Sequence, residues 1–398
     1  MRTAAADMNR SAVLTFIGGH GPTSRADLAR SLGLSPALIT QVTKALLDDG
    51  LITELETSPS RGGRPARLLG LVADAGGAIG VKVVLDHIAM VEVGIDGTVV
   101  RSATEPFDAA GPKAVETLVE LLRAFVAGSV GARLLGIGAA TPGNVADQAV
   151  GVVESTQLGW RNVPLGQTLR DAFDLPVIVD NNVNALATAE TLYGQARGRD
   201  NALIVTIGTG VGAGIISDGT VLRGHLGVAG EIGHLPTVED GPACQCGNRG
   251  CLEAVIGQQG IVAQARRLGV LSASEGVDVL LELADNGDQA AQRVFAGAGH
   301  LLGRALAGVV NLLDPEVLIV MGEGASAWRH WMFGFEPAFR ACLVPAKQGV
   351  PVAVETWQDD RWAQGAACLI LGTPFDAQGM SGDQGEWVRE RLAATPAG

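Results

Sequence analysis

Between Gly230 and Glu253 the chain reads GEIGHLPTVEDGPACQCGNRGCLE, which gathers one histidine and three of the five cysteines into one short segment. His234, Cys244, Cys246 and Cys251 offer an imidazole and three thiolates, a complete donor set for tetrahedral zinc. Four protein ligands leave no open position for an activated water, so the expected metal is structural. Three clustered cysteines do not make a disulfide scaffold, and in a cytosol such a cluster more often holds a metal. The alternative is a set of buried reduced thiols without an ion. Cys342 and Cys368, isolated in sequence, are expected to be ordinary core cysteines.

Two other stretches could do chemistry. TIGTGVGAGI, Thr206 to Ile215, is a glycine-rich loop of the kind that lets backbone N–H groups approach a phosphate, although glycines also serve ordinary tight turns. Near the start, TSRADLARSLGLSPALITQVTKALLDDGLI has the marks of two helices joined by a tight turn. Ser24 with Asp27 resembles a capping box, Gly33 supplies the turn, Ser35 and Pro36 open the second helix and Gly50 ends it. If Leu38, Ile39, Val42, Ala45 and Leu46 face inward, then Ala37, Thr40, Gln41, Thr43 and Lys44 face out. Such a polar face can reach base edges and phosphates in a DNA major groove. LITELETSPSRGGRPARLLGL then reads as two strands around a tip, where Arg61, Arg64 and Arg67 would suit the negative minor groove. A helical protein-docking module with a basic loop is the competing interpretation.

These groups need a frame. At 398 residues the chain is too long for one core, and its 47% hydrophobic content and 55 glycines fit a globular, turn-rich α/β protein. From about Gly76, AIGVKVVLDHIAMVEVGIDGTVV reads as strand, turn, strand; AVETLVELLRAFVAG as an amphipathic helix; LLGIGAA, PVIVD and NALIVTIG as buried strands. Alternation of this kind implies α/β layers with ligands at the carboxyl ends of strands. No apolar run reaches the roughly 18 residues of a membrane span or has the form of a signal peptide, so a cytoplasmic protein is expected. Residues 1–70 carry eight Arg/Lys and six Asp/Glu, net +2, whereas the remainder carries 21 and 36, net −15. A small basic head on an acidic body can bind DNA locally while the body limits nonspecific adhesion.

GTGVGAGIISDGTVLRGHLGVAGEIGHL followed by CQCGNRGCLE resembles the ROK family of sugar kinases and sugar-responsive repressors. The resemblance extends to the GRP wing tip, ATPGNV, NNVNALATAE, NLLDPEVLIVMG and WAQGAA. It implies an α/β chain with an N-terminal winged helix-turn-helix and a two-lobed actin-like sugar-kinase ATPase fold. The expected divisions are a DNA-binding head at 1–71, a first lobe at 72–185, a second lobe with the zinc loop at 186–375 and a tail at 376–398, to which no role is assigned. By the same resemblance Gly143, Asn181, Asn182, Glu231, His234 and Glu253 would hold sugar hydroxyls. Amides and carboxylates satisfy a hydroxyl both as donor and as acceptor. His234 could hold zinc through one ring nitrogen and address a hydroxyl through the other. Solvated loop acids are the plainer account of Glu231 and Glu253, and Trp160 could stack on a sugar or fill the core.

The family contains both kinases and repressors. Its kinases take the hydroxyl proton with an Asp in Glu-Asn-Asp-x-Asn, and this chain has Asp180, Asn181, Asn182, Val183, Asn184. An amide at Asn182 cannot accept that proton, and loss of a general base costs about 10²- to 10⁴-fold in rate. The kinases' first phosphate loop, Gly-x-Asp-x-Gly-Gly-Thr, is here Gly80, Val81, Lys82, Val83, Val84, Leu85, Asp86, and a Gly-Gly pair near the adenosine site is Gly322-Glu323. Asp180 could substitute as base if it projected beside Asn182. The expectation is therefore a regulator without catalytic residues, most simply a repressor, binding operator DNA as a homodimer or dimer of dimers. A sugar effector between the lobes would alter their closure, and zinc would be the structural cofactor. The rival is an ATP-dependent sugar kinase with an appended DNA head.

Overall fold

The computed structural model describes residues 4–55, 67–72, 75–129, 133–355, 360–373 and 382–393. The head begins with helix α1 (Ala4–His20), which buries Val13, Leu14 and Ile17. The Ser24 hydroxyl caps α2 (Arg25–Leu32), accepting the Asp27 N–H at 3.2 Å and donating to its carboxylate at 2.7 Å. Gly33 closes α2 in the left-handed region at φ 63°, and the Ser35 hydroxyl accepts the Leu38 N–H at 3.3 Å to start α3 (Pro36–Asp48). Strands β2 (Ile52–Leu55) and β3 (Leu68–Leu71) pair antiparallel, Ile52 opposite Leu71, and β1 (Thr23–Ser24) joins the other edge of β3. These elements form a winged helix-turn-helix.

The chain divides into two compact units: residues 1–198, 224–228 and 359–398, and residues 199–223 and 229–358. In the first, β4 (Gly77–Val83), β5 (His87–Gly94) and β6 (Val99–Pro106) form an antiparallel meander. Strands β7 (Leu134–Thr141) and β10 (Val177–Asn181) then add in parallel, giving the order β10-β7-β4-β5-β6. Buried residues of α4 (Ala114–Ala127) and α5 (Leu165–Phe173) share a core cluster with this sheet and with the ribbon of β8 (Val153–Ser155) and β9 (Trp160–Val163). Helices α6 (Asn182–Tyr193) and α12 (Asp360–Leu371) pack together, and α12 lies on β4 and β7. A Cβ at Gly138 would stand 1.7 Å from the Ala366 carbonyl oxygen, so the strand must be bare where α12 crosses it.

This arrangement departs from the expected divisions. Position 185 falls inside α6, and α12, expected in the second lobe, belongs to the first unit, its small residues matched to strand glycines. The tail contains α13 (Gly382–Ala393), with Val388 and Leu392 buried and Arg391 donating to the Leu134 carbonyl at 2.9 Å.

The second unit repeats the strand plan. β11 (Ala202–Ile207), β12 (Val211–Ser217) and β13 (Thr220–Val221) are antiparallel, and β14 (Val317–Met321) and β15 (Val352–Val354) follow in parallel, in the order β13-β12-β11-β14-β15. Its core is built from α7 (Leu252–Ile256), α8 (Gln258–Arg267), α9 (Val277–Asp285), α10 (Gln289–Leu313) and α11 (Trp328–Cys342). Helix α10 is long and apolar enough by composition to cross a membrane, yet its Phe295, Leu302 and Leu306 are buried in this core. Cys368 is buried as expected. Cys342 is exposed instead, because it is the last residue of α11, where the chain leaves the core.

Candidate functional site

The metal donors lie entirely in the second unit. His234 ends a short 3-10 turn (Ile232–His234), Cys251 is the N-cap of α7, and the Cys244–Asn248 turn closes through a Cys244 N–H to Asn248 carbonyl bond of 2.8 Å. His234 Nδ1 lies 3.5 Å from Cys244 Sγ, Cys246 Sγ lies 3.7 Å from Cys251 Sγ, and one donor atom of each residue lies within 4.8 Å of the others. Zinc–sulfur bonds of about 2.3 Å at tetrahedral angles set sulfur atoms about 3.8 Å apart, so the four residues fit zinc in number, type and spacing. Burial pushes the Cys251 thiol up to about 12, whereas the Asn248 backbone N–H draws Cys246 down.

Three expected hydroxyl-binding residues adjoin this cage. His234 turns Nε2 toward Glu231, 3.5 Å from its Oε2, which leaves Nδ1 to the cysteines. Burial raises the Glu231 pKa and Glu253 raises it further, while His234 opposes both. Glu253, on the first turn of α7, accepts the Val211 N–H at 3.0 Å through Oε2 and a bond from the Gln245 amide at 3.3 Å through Oε1. Gln245, exposed between Cys244 and Cys246, was not anticipated.

Gly143, Asn181 and Asn182 belong to the first unit. Asn181 ends β10 and caps α6, its Oδ1 accepting the Val183 N–H at 2.8 Å while its Nδ2 donates to the Gly143 carbonyl at 2.9 Å. Gly143 has φ 103°, and a Cβ there would come within 2.3 Å of the Glu154 carbonyl oxygen, so packing alone requires glycine. Asn182, the first residue of α6, is half-buried, and its amide has no hydrogen-bond partner among the described residues. Asp180 is fully buried and accepts bonds from the Gln148 and Asn184 side chains and the Asn181 N–H, an orientation unlike that of a substitute base. Trp160 is a core residue, its indole N–H donating to the Ala109 carbonyl at 2.8 Å.

The stretch matching a first phosphate loop is a closed turn. Lys82 is buried with Nζ 4.7 Å over the Trp362 ring, Val84 donates to the His87 carbonyl at 3.1 Å, and Leu85 is exposed. In the glycine-rich loop of the second unit the Glu323 carboxylate lies against Gly208, on the side where a Cβ would project.

On the head, Thr40, Gln41 and Lys44 are exposed along α3. Thr43 is not, because it lies one turn after Ile39 and one before Leu46, on the buried face. Its hydroxyl donates to the Ile39 carbonyl and accepts a bond of 3.0 Å from Arg25. Arg25 also pairs with Glu54, which holds Arg67 as well, so Arg67 is engaged at the base of the wing. Arg61 and Arg64 lie outside the described residues.

Comparison with known proteins follows the same division. The ROK family profile matches residues 78–373, and the MarR family profile matches residues 7–57. The xylose repressor of Bacillus subtilis is 28% identical over 322 residues, covering 80% of this chain and 83% of that protein. A solved ROK family transcriptional regulator, described as a homolog of the E. coli MLC protein, superposes with a TM-score of 0.81 at 27% identity, covering 98% of this chain and 99% of that one. A ROK family glucokinase from Streptomyces griseus, solved with glucose and AMPPNP, gives a TM-score of 0.64 at 29% identity, covering 74% of this chain and 99% of that one.

Proposed function

The chain belongs to the ROK family, and from that premise we propose that it is a sugar-responsive transcriptional repressor whose kinase-like body senses a sugar without phosphorylating it. The winged head engages operator DNA, with Thr40, Gln41 and Lys44 at the major groove and Arg61 and Arg64 at the minor groove. Arg67 serves the wing by fastening its base through Glu54. The protein works in the cytoplasm as a dimer that sets two heads on two half-sites. Sugar-hydroxyl contacts are assigned, as the family resemblance implies, to Glu231, His234 and Glu253 and to Gly143, Asn181 and Asn182. Zinc on His234, Cys244, Cys246 and Cys251 fastens the loop that carries Gln245 and orients His234 for its neighbour Glu231.

One observation carries the reading. The residues proposed to bind hydroxyls are present, with Asn181 bonded to Gly143 and His234 beside Glu231, whereas the β4–β5 turn that would hold phosphate carries Lys82, Val84 and Leu85. A sugar that binds one conformation of the body better than another shifts DNA affinity by that difference and no more.

The likeness to a glucokinase favours phosphorylation as the second reading. Coupled assay of ATP turnover with D-glucose, D-xylose and N-acetylglucosamine separates the two. Repressor function predicts no sugar-dependent turnover together with calorimetric binding of one sugar in the absence of nucleotide. Sugar-dependent ADP release well above a zinc-loaded Asn182→Ala control would establish the kinase.

A further inference from the structure

Helix α6 touches both ends of the proposed response. Its first residue is Asn182, and its N-cap, Asn181, ties it to Gly143. Its buried face, with Ala185, Ala189 and Leu192, shares one hydrophobic cluster with Val13, Leu14 and Ile17 of α1, and the two helices are in contact. Beyond Gly194 the chain turns under control of Glu190, whose carboxylate accepts the Gln195 N–H at 2.9 Å. This turn delivers Arg197 to the C-terminal end of α1. There its guanidinium donates to the Gly18 carbonyl and, at 3.4 Å, to that of Ile17.

A helix end presents carbonyls with no partner in the helix and carries partial negative charge, so a guanidinium placed there anchors it. We propose that α6 and Arg197 form the strut between sugar pocket and DNA head, with Arg197 as the residue that positions α1. The inference rests on the sugar-repressor reading above and adds the route inside the first unit. Residues 182–197 form a short segment whose two ends are fixed by hydrogen bonds, one set at the sugar residues and one at the first helix of the head. A ligand that re-aims Asn181 and Asn182 therefore acts on the cap of the same helix that α1 lies against. Buried contacts along α6 have little slack, since packed interiors transmit displacement instead of absorbing it.

Hydrogen exchange on the full-length, zinc-loaded chain tests this without knowledge of the effector. Arg197→Ala should speed exchange of the amides at residues 17–21 about tenfold, with those of α10 unchanged, and Arg197→Lys should restore part of the protection. Asn181→Ala, at the far end of α6, should speed the same α1 amides several-fold. In the double variant it should add nothing to the effect of Arg197→Ala. Wild-type exchange in α1 of Asn181→Ala, or full additivity in the double variant, would overturn the strut. Should Asn181→Ala fold poorly, Asn181→Asp keeps the cap oxygen, loses the donor to Gly143 and should give a smaller rise in α1; no rise would again count against the proposal. DNA titrations of the same proteins with D-xylose, D-glucose and N-acetylglucosamine distinguish the two levels. A sugar response that survives intact in Arg197→Ala refutes the strut alone, whereas wild-type protein that never binds DNA refutes the repressor reading and leaves the exchange coupling standing.

Discussion

The β4–β5 turn of the first unit and the β11–β12 turn of the second occupy the same place in one repeated strand plan, yet they carry opposite kinds of residue. The first carries Val84, Leu85 and Asp86 behind a buried Lys82. The second retains Gly208, Thr209 and Gly210. In the second turn Glu253 reaches over the loop to the Val211 N–H, and a Cβ at Gly210 would stand 3.1 Å from its Oε2. A glycine-rich loop can thus admit a carboxylate, and its presence alone says nothing about a nucleotide.

The largest expected effect falls on the loop beside the retained turn. Cys246→Ser should lose the zinc measured by atomic absorption, abolish calorimetric sugar binding and lower Tm by roughly 10 °C, since structural zinc supplies folding energy directly. Retained sugar binding in metal-free protein would detach the cage from the sensor. Next comes Gly210→Ala, which displaces Glu253 and should weaken sugar affinity about tenfold. Gly208→Ala meets only the mobile end of Glu323 and should change affinity less than twofold. Equal losses from the two variants would remove the distinction between them. Asn182→Asp puts an acid at the position of the kinases' base and should yield no ATP turnover, because the β4–β5 turn still carries Lys82, Val84 and Leu85.

Smaller effects separate the outer and inner faces of α3. Gln41→Ala should cost about 1–3 kcal/mol of DNA affinity if it reads a base. Thr43→Val should leave affinity within threefold and lower stability by about 1 kcal/mol, through loss of its bond with Arg25. Smallest is a pH effect at the wing base. Arg67 and Arg25 hold the Glu54 carboxyl below its ordinary value of 4.5, so its contribution is full above that value and is lost as pH falls through the lowered one. Glu54→Gln should flatten the acid limb of the melting curve in that range.

Much of this was legible in the sequence because local rules dominate where the signals were strong. Ser24, Gly33, Ser35 and Pro36 mark helix ends through bonds made within a few residues, and the four candidate metal donors, His234, Cys244, Cys246 and Cys251, identify themselves by type and spacing. What escaped depended on distant chain. Thr43 looked outward by polarity but answers to Arg25, and Cys342 lost its burial to a helix end. The return of α12 to the first unit is decided by Gly80 and Gly138, more than two hundred residues earlier in the chain, where no periodicity shows the match. Arg67 had the right charge for DNA and a nearer partner in Glu54.

The most direct measurement is fluorescence anisotropy of the zinc-loaded protein on DNA from upstream of its own gene, titrated at fixed salt with free and phosphorylated sugars. Tight binding that one sugar changes by tenfold or more, with no ATP present, is the predicted result. DNA affinity unmoved by any sugar, in protein that phosphorylates one of them, would contradict the account.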